Sequence, residues 1–223
     1  MEQYKEDFIT FMVRSGVLTF GDFTTKSGRK TPFFINTGNY DSGDQMAQLG
    51  KYYGEALMNV YGEDFDVLFG PAYKGIPLVI TTAMALSDKY KLDKFFAFNR
   101  KEAKDHGEGG NLIGHKLKDG EKLIIVEDVT TAGTSIRESI PLLQKAADVK
   151  IKALLVSVDR QEKGTGDKSA LAQIEEDYGI QPIPIVTLDE IVEYLYNRPI
   201  DGTVYIDDTI LERIKEYRTK YGA

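Results

Sequence analysis

Residues 123–139 read LIIVEDVTTAGTSIRES, and this order concentrates two kinds of chemistry. An apolar run ends in adjacent carboxylates, Glu127 and Asp128. Val129 follows, then Thr130, Thr131, Ala132, Gly133, Thr134 and Ser135, four of which carry hydroxyls. Carboxylates accept hydrogen bonds from sugar hydroxyls or hold Mg2+. A helix beginning at this point offers free N–H groups and the positive end of its dipole, which suit a phosphate. Together the loop grips a phosphorylated sugar from both sides. Taken singly, either carboxylate reads equally as a solvated strand end, and Thr and Ser as ordinary caps. The uninterrupted order of strand, acidic pair, hydroxyl run and helix carries the sharper reading.

In open α/β sheets ligands bind at the carboxyl ends of the strands, so the elements around this loop decide what it does. Tyr4, Phe8, Phe11 and Met12 fall on one helical face, and Gly16 closes that helix. VLTFGDFTT and PFFINT predict two strands around the turn KSGRK. Ser42 with Gln45 forms a capping-box pattern opening a helix to about Val60. FDVLFG, KFFAFN, KLIIV, IKALLVSVD and QPIPIV predict further strands. The loop PAYKG feeds an apolar helix, Ser135 with Glu138 predicts a cap for the helix beyond the acidic pair, and Thr187 with Glu190 predicts another. DTILERIKEYRTKYG reads as a terminal amphipathic helix.

Short apolar strands alternating with helices predict an α/β fold, a mostly parallel central sheet flanked by helices. The first forty residues are expected to form a small N-terminal hood-like lobe. No repeat or linker divides residues 1–223, which read as one domain. KGTGDKS, at 163–169, fails the Walker A spacing because Asp167 separates Gly166 from Lys168, and it reads as a surface loop. No G-x-G-x-x-G follows the first good strand.

The formal charge of −7 argues against non-specific nucleic-acid binding. The absence of cysteine excludes disulfides and thiolate chemistry and fits a reducing, cytoplasmic compartment. The acidic N-terminus lacks the basic region of a signal peptide, and no apolar run approaches the roughly 20 residues of a membrane span.

The acidic loop resembles the phosphoribosyl-pyrophosphate (PRPP) motif of the type I phosphoribosyltransferases. TTKSGRKTPFFINTG (24–38), FGPAYKGIPL (69–78), FNRKEAKDHGEGG (98–110), EDVTTAGTS (127–135) and VDRQEKG (158–164) resemble the orotate phosphoribosyltransferase family in its own order and spacing. The resemblance covers essentially the whole chain. It implies transfer of a phosphoribosyl group from PRPP to orotate, giving orotidine 5′-monophosphate and pyrophosphate in pyrimidine (UMP) biosynthesis. It also implies Mg2+ held mainly by PRPP, with Glu127 and Asp128 nearby and no direct protein ligand. A homodimer with shared active sites and no nucleic-acid or membrane partner belong to the same expectation. Two rivals remain: a PRPP-sensing regulator on the same fold, and a transferase for another base.

The resemblance also implies residue roles. Ala72, Tyr73 and Lys74 contact pyrophosphate. Arg100, Lys101, Lys104 and His106 contact pyrophosphate and, with Asp128, act in catalysis. Glu127 and Asp128 hold the ribose hydroxyls, and residues 129–135 complete the PRPP site. Lys26, Phe34, Ile35, Thr131 and Arg160 line the orotate pocket. Ile35 stands where the family often carries a second aromatic, so its expected contact is through the main chain.

Physical chemistry supports such a set. Pyrophosphate leaving C1 of ribose gathers negative charge, which cations must neutralise. A flap at 98–110 with three cations and a glycine tail suits closure over that group and exclusion of water. Arg160 offers a bidentate fork to the orotate carboxylate. Each cation, read alone, is equally an exposed surface charge. The flap is equally a plain surface loop, and Phe34 equally a core residue. His115 is left as scaffold.

Overall fold

The computed structural model describes residues 1–25, 28–101, 111–129, 133–164 and 166–223. Helix α1 (Gln3–Arg14) buries Phe8, Ile9 and Met12, and Gly16 at φ +63° turns the chain behind it. Strands β1 (Leu18–Thr24) and β2 (Lys30–Ile35) pair antiparallel as a separate two-stranded sheet. Helix α2 (Gly43–Val60) starts at the expected capping box: the Ser42 hydroxyl accepts from the Gln45 N–H, and the Gln45 side chain accepts from the Ser42 N–H.

The chain then alternates. In order come β3 (Val67–Gly70), α3 (Gly75–Ala85), β4 (Phe95–Asn99), β5 (Leu112–Gly114), β6 (Lys122–Val126), α4 (Thr134–Ala146), β7 (Lys150–Asp159), α5 (Ala170–Tyr178), β8 (Gln181–Thr187) and α6 (Leu188–Leu195). A short hairpin, β9 (Pro199–Ile200) and β10 (Thr203–Val204), precedes α7 (Asp208–Tyr221). The main sheet has the order β5-β4-β3-β6-β7-β8, parallel except for β5 at one edge.

The strands are apolar throughout because helices cover both faces. Side chains alternate across the sheet, so Leu68, Ile124 and Val126 pack toward α1, α2 and α3. Val67, Phe69, Leu123 and Ile125 pack toward α4 and α5, against Ile136, Ile140, Leu143, Leu171 and Ile174. Each fully buried Leu or Ile contributes about 1.5–3 kcal/mol of hydrophobic stabilisation.

One local expectation is corrected, and two elements appear that the sequence did not mark. Strand β5 lies in the tail of the glycine-rich segment, where alternation was too short to mark it, and the β9–β10 hairpin has only two residues per strand. The predicted Ser135/Glu138 cap does not form. Helix α4 instead begins at Thr134 behind Gly133, in the left-handed conformation at φ +70°, with no side-chain cap. Ser135 spends its hydroxyl elsewhere, on Glu127.

Candidate active site

The loops expected to carry chemistry follow β3, β4, β6 and β7, and parallel strands place all four at one edge of the sheet. From β3 the chain turns to β4 on one side, while β6 lies on the other, so a crevice opens between the ends of β3 and β6. Lys74, from the loop after β3, and Asp128, from the end of β6, meet there with Nζ 2.8 Å from Oδ2.

The loop carrying Lys74 is shaped by backbone contact. A Cβ on Gly70 would lie 2.1 Å from the Gly75 carbonyl oxygen, and one on Gly75 would lie 2.7 Å from the Gly70 carbonyl carbon. Only glycine at both positions lets β3 turn this tightly into α3. The Ala72–Tyr73 peptide is cis, and the Ala72 N–H donates to the Asn99 side-chain oxygen at 2.8 Å. Asn99, at the end of β4, thereby ties two site loops together. Tyr73 is exposed, and the Lys101 ammonium lies 5.1 Å from the centre of its ring. The Arg100 N–H donates to the Asn111 carbonyl at 2.8 Å, holding its backbone to the returning segment.

The acidic pair is not the exposed strand end that the sequence suggests. Glu127 is 6% exposed and Asp128 9%. Glu127 accepts from its neighbour's N–H and from the Ser135 hydroxyl, both at 2.9 Å. Burial, reinforced by the adjacent Asp128 charge, pushes its carboxyl up to about 7. The backbone of the pair is also fixed: the Tyr53 hydroxyl donates to the Glu127 carbonyl at 2.9 Å and the Ser157 hydroxyl to the Asp128 carbonyl at 2.6 Å. Thr37, just beyond β2, donates to Asp128 Oδ2 at 2.8 Å. A cavity of about 270 Å³ opens beside Lys74 and Asp128, walled by Tyr40, Met46, Leu49, Tyr53, Pro77 and Leu78.

On the base side, Phe33 is buried while Phe34 is 37% exposed and stacks on Phe23 with ring centres 5.6 Å apart. Strand alternation separates the two, and Phe34 is the member left available to a planar ligand. Ile35 is half-buried against the core. Arg160 lies over the Phe33 ring and is paired with Glu162. Val129 is half-buried, Gly133 sits at the helix start, and Thr134 and Ser135 open α4. Lys26, Lys104, His106, Thr130, Thr131 and Ala132 lie outside the described residues. His115 stacks on Phe95 at 4.1 Å and its Nε2 lies 2.8 Å from Glu121 Oε1, a scaffold position away from the crevice residues.

Sequence reasoning missed Thr37, Tyr53, Asn99, Ser157 and Glu162. Tyr53 and Ser157 read as ordinary residues of a helix and a strand, and only their hydrogen bonds to the acidic pair mark them. Glu162 had a usable signal, since it stands two residues after Arg160 in VDRQEKG.

A parallel α/β sheet with a buried acidic pair at its switch point, a helix start behind it and a lysine loop opposite defines the type I phosphoribosyltransferase class. A family model for the phosphoribosyl transferase domain matches residues 37–177. Orotate phosphoribosyltransferase from Clostridium beijerinckii is 57% identical over the full length of both chains. The Vibrio cholerae protein of that name is 48% identical, again over all of both chains. The crystal structure of the Francisella tularensis orotate phosphoribosyltransferase superposes with a TM-score of 0.84 at 38% identity, covering 97% of this chain and 100% of that one. The chain belongs to the orotate phosphoribosyltransferase family.

Proposed function

We propose that the chain transfers the 5-phosphoribosyl group from PRPP to orotate, forming orotidine 5′-monophosphate and releasing pyrophosphate in pyrimidine biosynthesis. The observation that carries this reading is the meeting of Lys74 and Asp128 across the β3/β6 crevice. It sets a cation for a leaving polyanion beside a carboxylate for ribose hydroxyls. In the reaction the bond from C1 to pyrophosphate oxygen breaks and its electron pair leaves with pyrophosphate, while a ring nitrogen of orotate bonds to C1 and its N–H proton passes to the departing pyrophosphate or to solvent. Asp128 and Glu127 orient the ribose through its hydroxyls, and the N–H groups at the start of α4 receive the 5′-phosphate. Lys74 and Lys101 stabilise charge on the departing group. Arg160 and Phe34 hold orotate, the first by its carboxylate and the second by its ring face.

Mg2+ belongs to this reading. Among the described residues no group of three or more His, Asp or Glu side chains gathers around a metal position. An ion held by phosphate oxygens with one or two carboxylates nearby fits Glu127 and Asp128. When bound, it neutralises charge on the pyrophosphate.

The reading includes one domain, with the first forty residues lying over the site through Thr37, and a cytoplasmic homodimer that completes its sites across the interface. Support for a second copy comes from α3 and the loop before it. Pro77, Ile80 and Met84 fall at helical spacing on α3, where Met84 is 66% exposed, and Tyr73 in the loop before it is 67% exposed. Among the described residues no helix is long and apolar enough to cross a membrane.

The test follows loss of orotate absorbance with PRPP and Mg2+. Turnover of orotate is expected. Turnover of uracil or a purine base instead overturns the substrate assignment, and PRPP binding without any turnover replaces the enzyme with a sensor.

A further inference from the structure

The loop 71–74 stands among the ends of three strands. The main-chain ladder joining β3 to β4 stops at Gly70 and Phe98, and the next residue, Pro71, carries no N–H. Just beyond, a side chain continues the link: Asn99 Oδ1 accepts from the Ala72 N–H at 2.8 Å. Asn99 is itself fixed in β4, opposite Leu112 of β5. On its other side the loop reaches β6 through Lys74, whose Nζ lies 2.8 Å from Asp128 Oδ2. A further contact sets the Lys101 ammonium 5.1 Å from the centre of the Tyr73 ring. These ties differ in kind. Lys74 and Lys101 are cations that a polyanion draws to itself, so their contacts are exchanged when it arrives. The bond to Asn99 joins a main-chain N–H to a neutral amide oxygen and offers the ligand no charge to draw away.

We propose that Asn99 is a positioning residue for pyrophosphate departure: it anchors the loop 71–74 to β4 and so sets where the Lys74 ammonium stands once it has left Asp128. The inference rests on the function proposed above. Lys74 follows Ala72 by two residues, so the bond fixes the backbone from which the lysine side chain reaches out. A cation placed before the reaction stabilises charge on the leaving group without first being ordered. The amide supplies the acceptor without setting a carboxylate among the cations that pyrophosphate must reach. Asn99 therefore acts through Lys74 and needs no contact with either substrate.

A double-mutant cycle tests this, with steady-state kinetics of wild type, Asn99→Ala, Lys74→Ala and the double variant at varied PRPP and orotate. Asn99→Ala is expected to lower kcat/KM for PRPP by about threefold to tenfold, the span of one hydrogen bond, while the orotate KM stays near the wild-type value. In the Lys74→Ala background the same change is expected to cost about twofold or less, because the group it positions is gone. Asn99→Ser, a gentler change whose hydroxyl is too short to reach Ala72, gives the same comparison if Asn99→Ala folds poorly. Amide-resolved hydrogen exchange supplies a readout apart from activity. The Ala72 amide should exchange faster in Asn99→Ala and Asn99→Ser and keep its protection in Asn99→Asp, which retains an acceptor. A merely structural role would give losses that multiply in the double variant, and that result, or an Ala72 amide indifferent to loss of the acceptor, overturns the proposal. A wild type that transfers nothing from PRPP to orotate overturns the functional reading, and this inference with it.

Discussion

Arg160 and Glu162 form a buried fork two residues apart: Nε and Nη2 of the guanidinium lie 2.9 and 2.6 Å from the same carboxylate oxygen. Their side chains are 11% and 7% exposed, and the guanidinium carbon stands 4.9 Å from the centre of the buried Phe33 ring. The arginine proposed to receive the orotate carboxylate is thus already oriented by an acid on one edge and a ring on one face. What it offers a ligand is a fixed set of remaining donors.

Glu162→Gln should expose that dependence. Breaking one partner of a buried pair costs about 3 kcal/mol. For a chain of this size that corresponds to a melting temperature lower by roughly 6–12 °C. The orotate KM is expected to rise while the PRPP KM stays near the wild-type value, because Arg160 serves only the base. Thermal melts and steady-state kinetics with each substrate varied check both halves.

Lys74→Ala removes the cation opposite Asp128. Loss of one group that stabilises developing charge lowers kcat by about 10²–10³-fold. Orotate KM is expected to change little, since Arg160 and Phe34 lie outside the Lys74–Asp128 contact. Kinetics in which only KM for PRPP moved would assign Lys74 to binding alone.

Glu127 sets a pH dependence of stability with a definite sign. Burial raises its carboxyl from the ordinary 4.5 to about 7, so the folded chain keeps a proton that the unfolded chain has released. The stabilisation from this group is full below about 4.5 and is lost as pH rises to about 7. At pH 8 Glu127→Gln is therefore expected to melt above the wild type, with the difference shrinking toward pH 5, while PRPP affinity falls. Scanning calorimetry across that range reads the effect directly.

The proposed interface on α3 makes a separate prediction. Wild type should sediment at twice the 25.0 kDa of one chain. Met84→Glu places a charge on the exposed apolar stripe and should shift the protein toward monomer, with activity falling in step if the sites are shared. Analytical ultracentrifugation and activity measured over the same concentrations check the coupling. A wild type that sediments as a monomer would remove the dimer from the proposal.

Much of this protein is legible along the chain alone. Apolar runs such as KLIIV and VLFG, with capping boxes at Ser42 and Thr187, marked a mostly parallel sheet, because burial on both faces and helix starts leave local signatures. The order of elements also points to Lys74, Glu127 and Asp128, since strand ends in such sheets converge on one edge, and the family resemblance adds Arg160. Burial of the acidic pair, the bond from Ser135 to Glu127 in place of a cap on α4, and the contacts of Thr37, Tyr53 and Ser157 with that pair and of Glu162 with Arg160 arise only from packing between elements. Those contacts mostly join residues distant in the chain, up to 91 positions apart for Thr37 and Asp128. A hydroxyl acquires such a role from the orientation of a partner on another element, and local periodicity carries no record of that orientation.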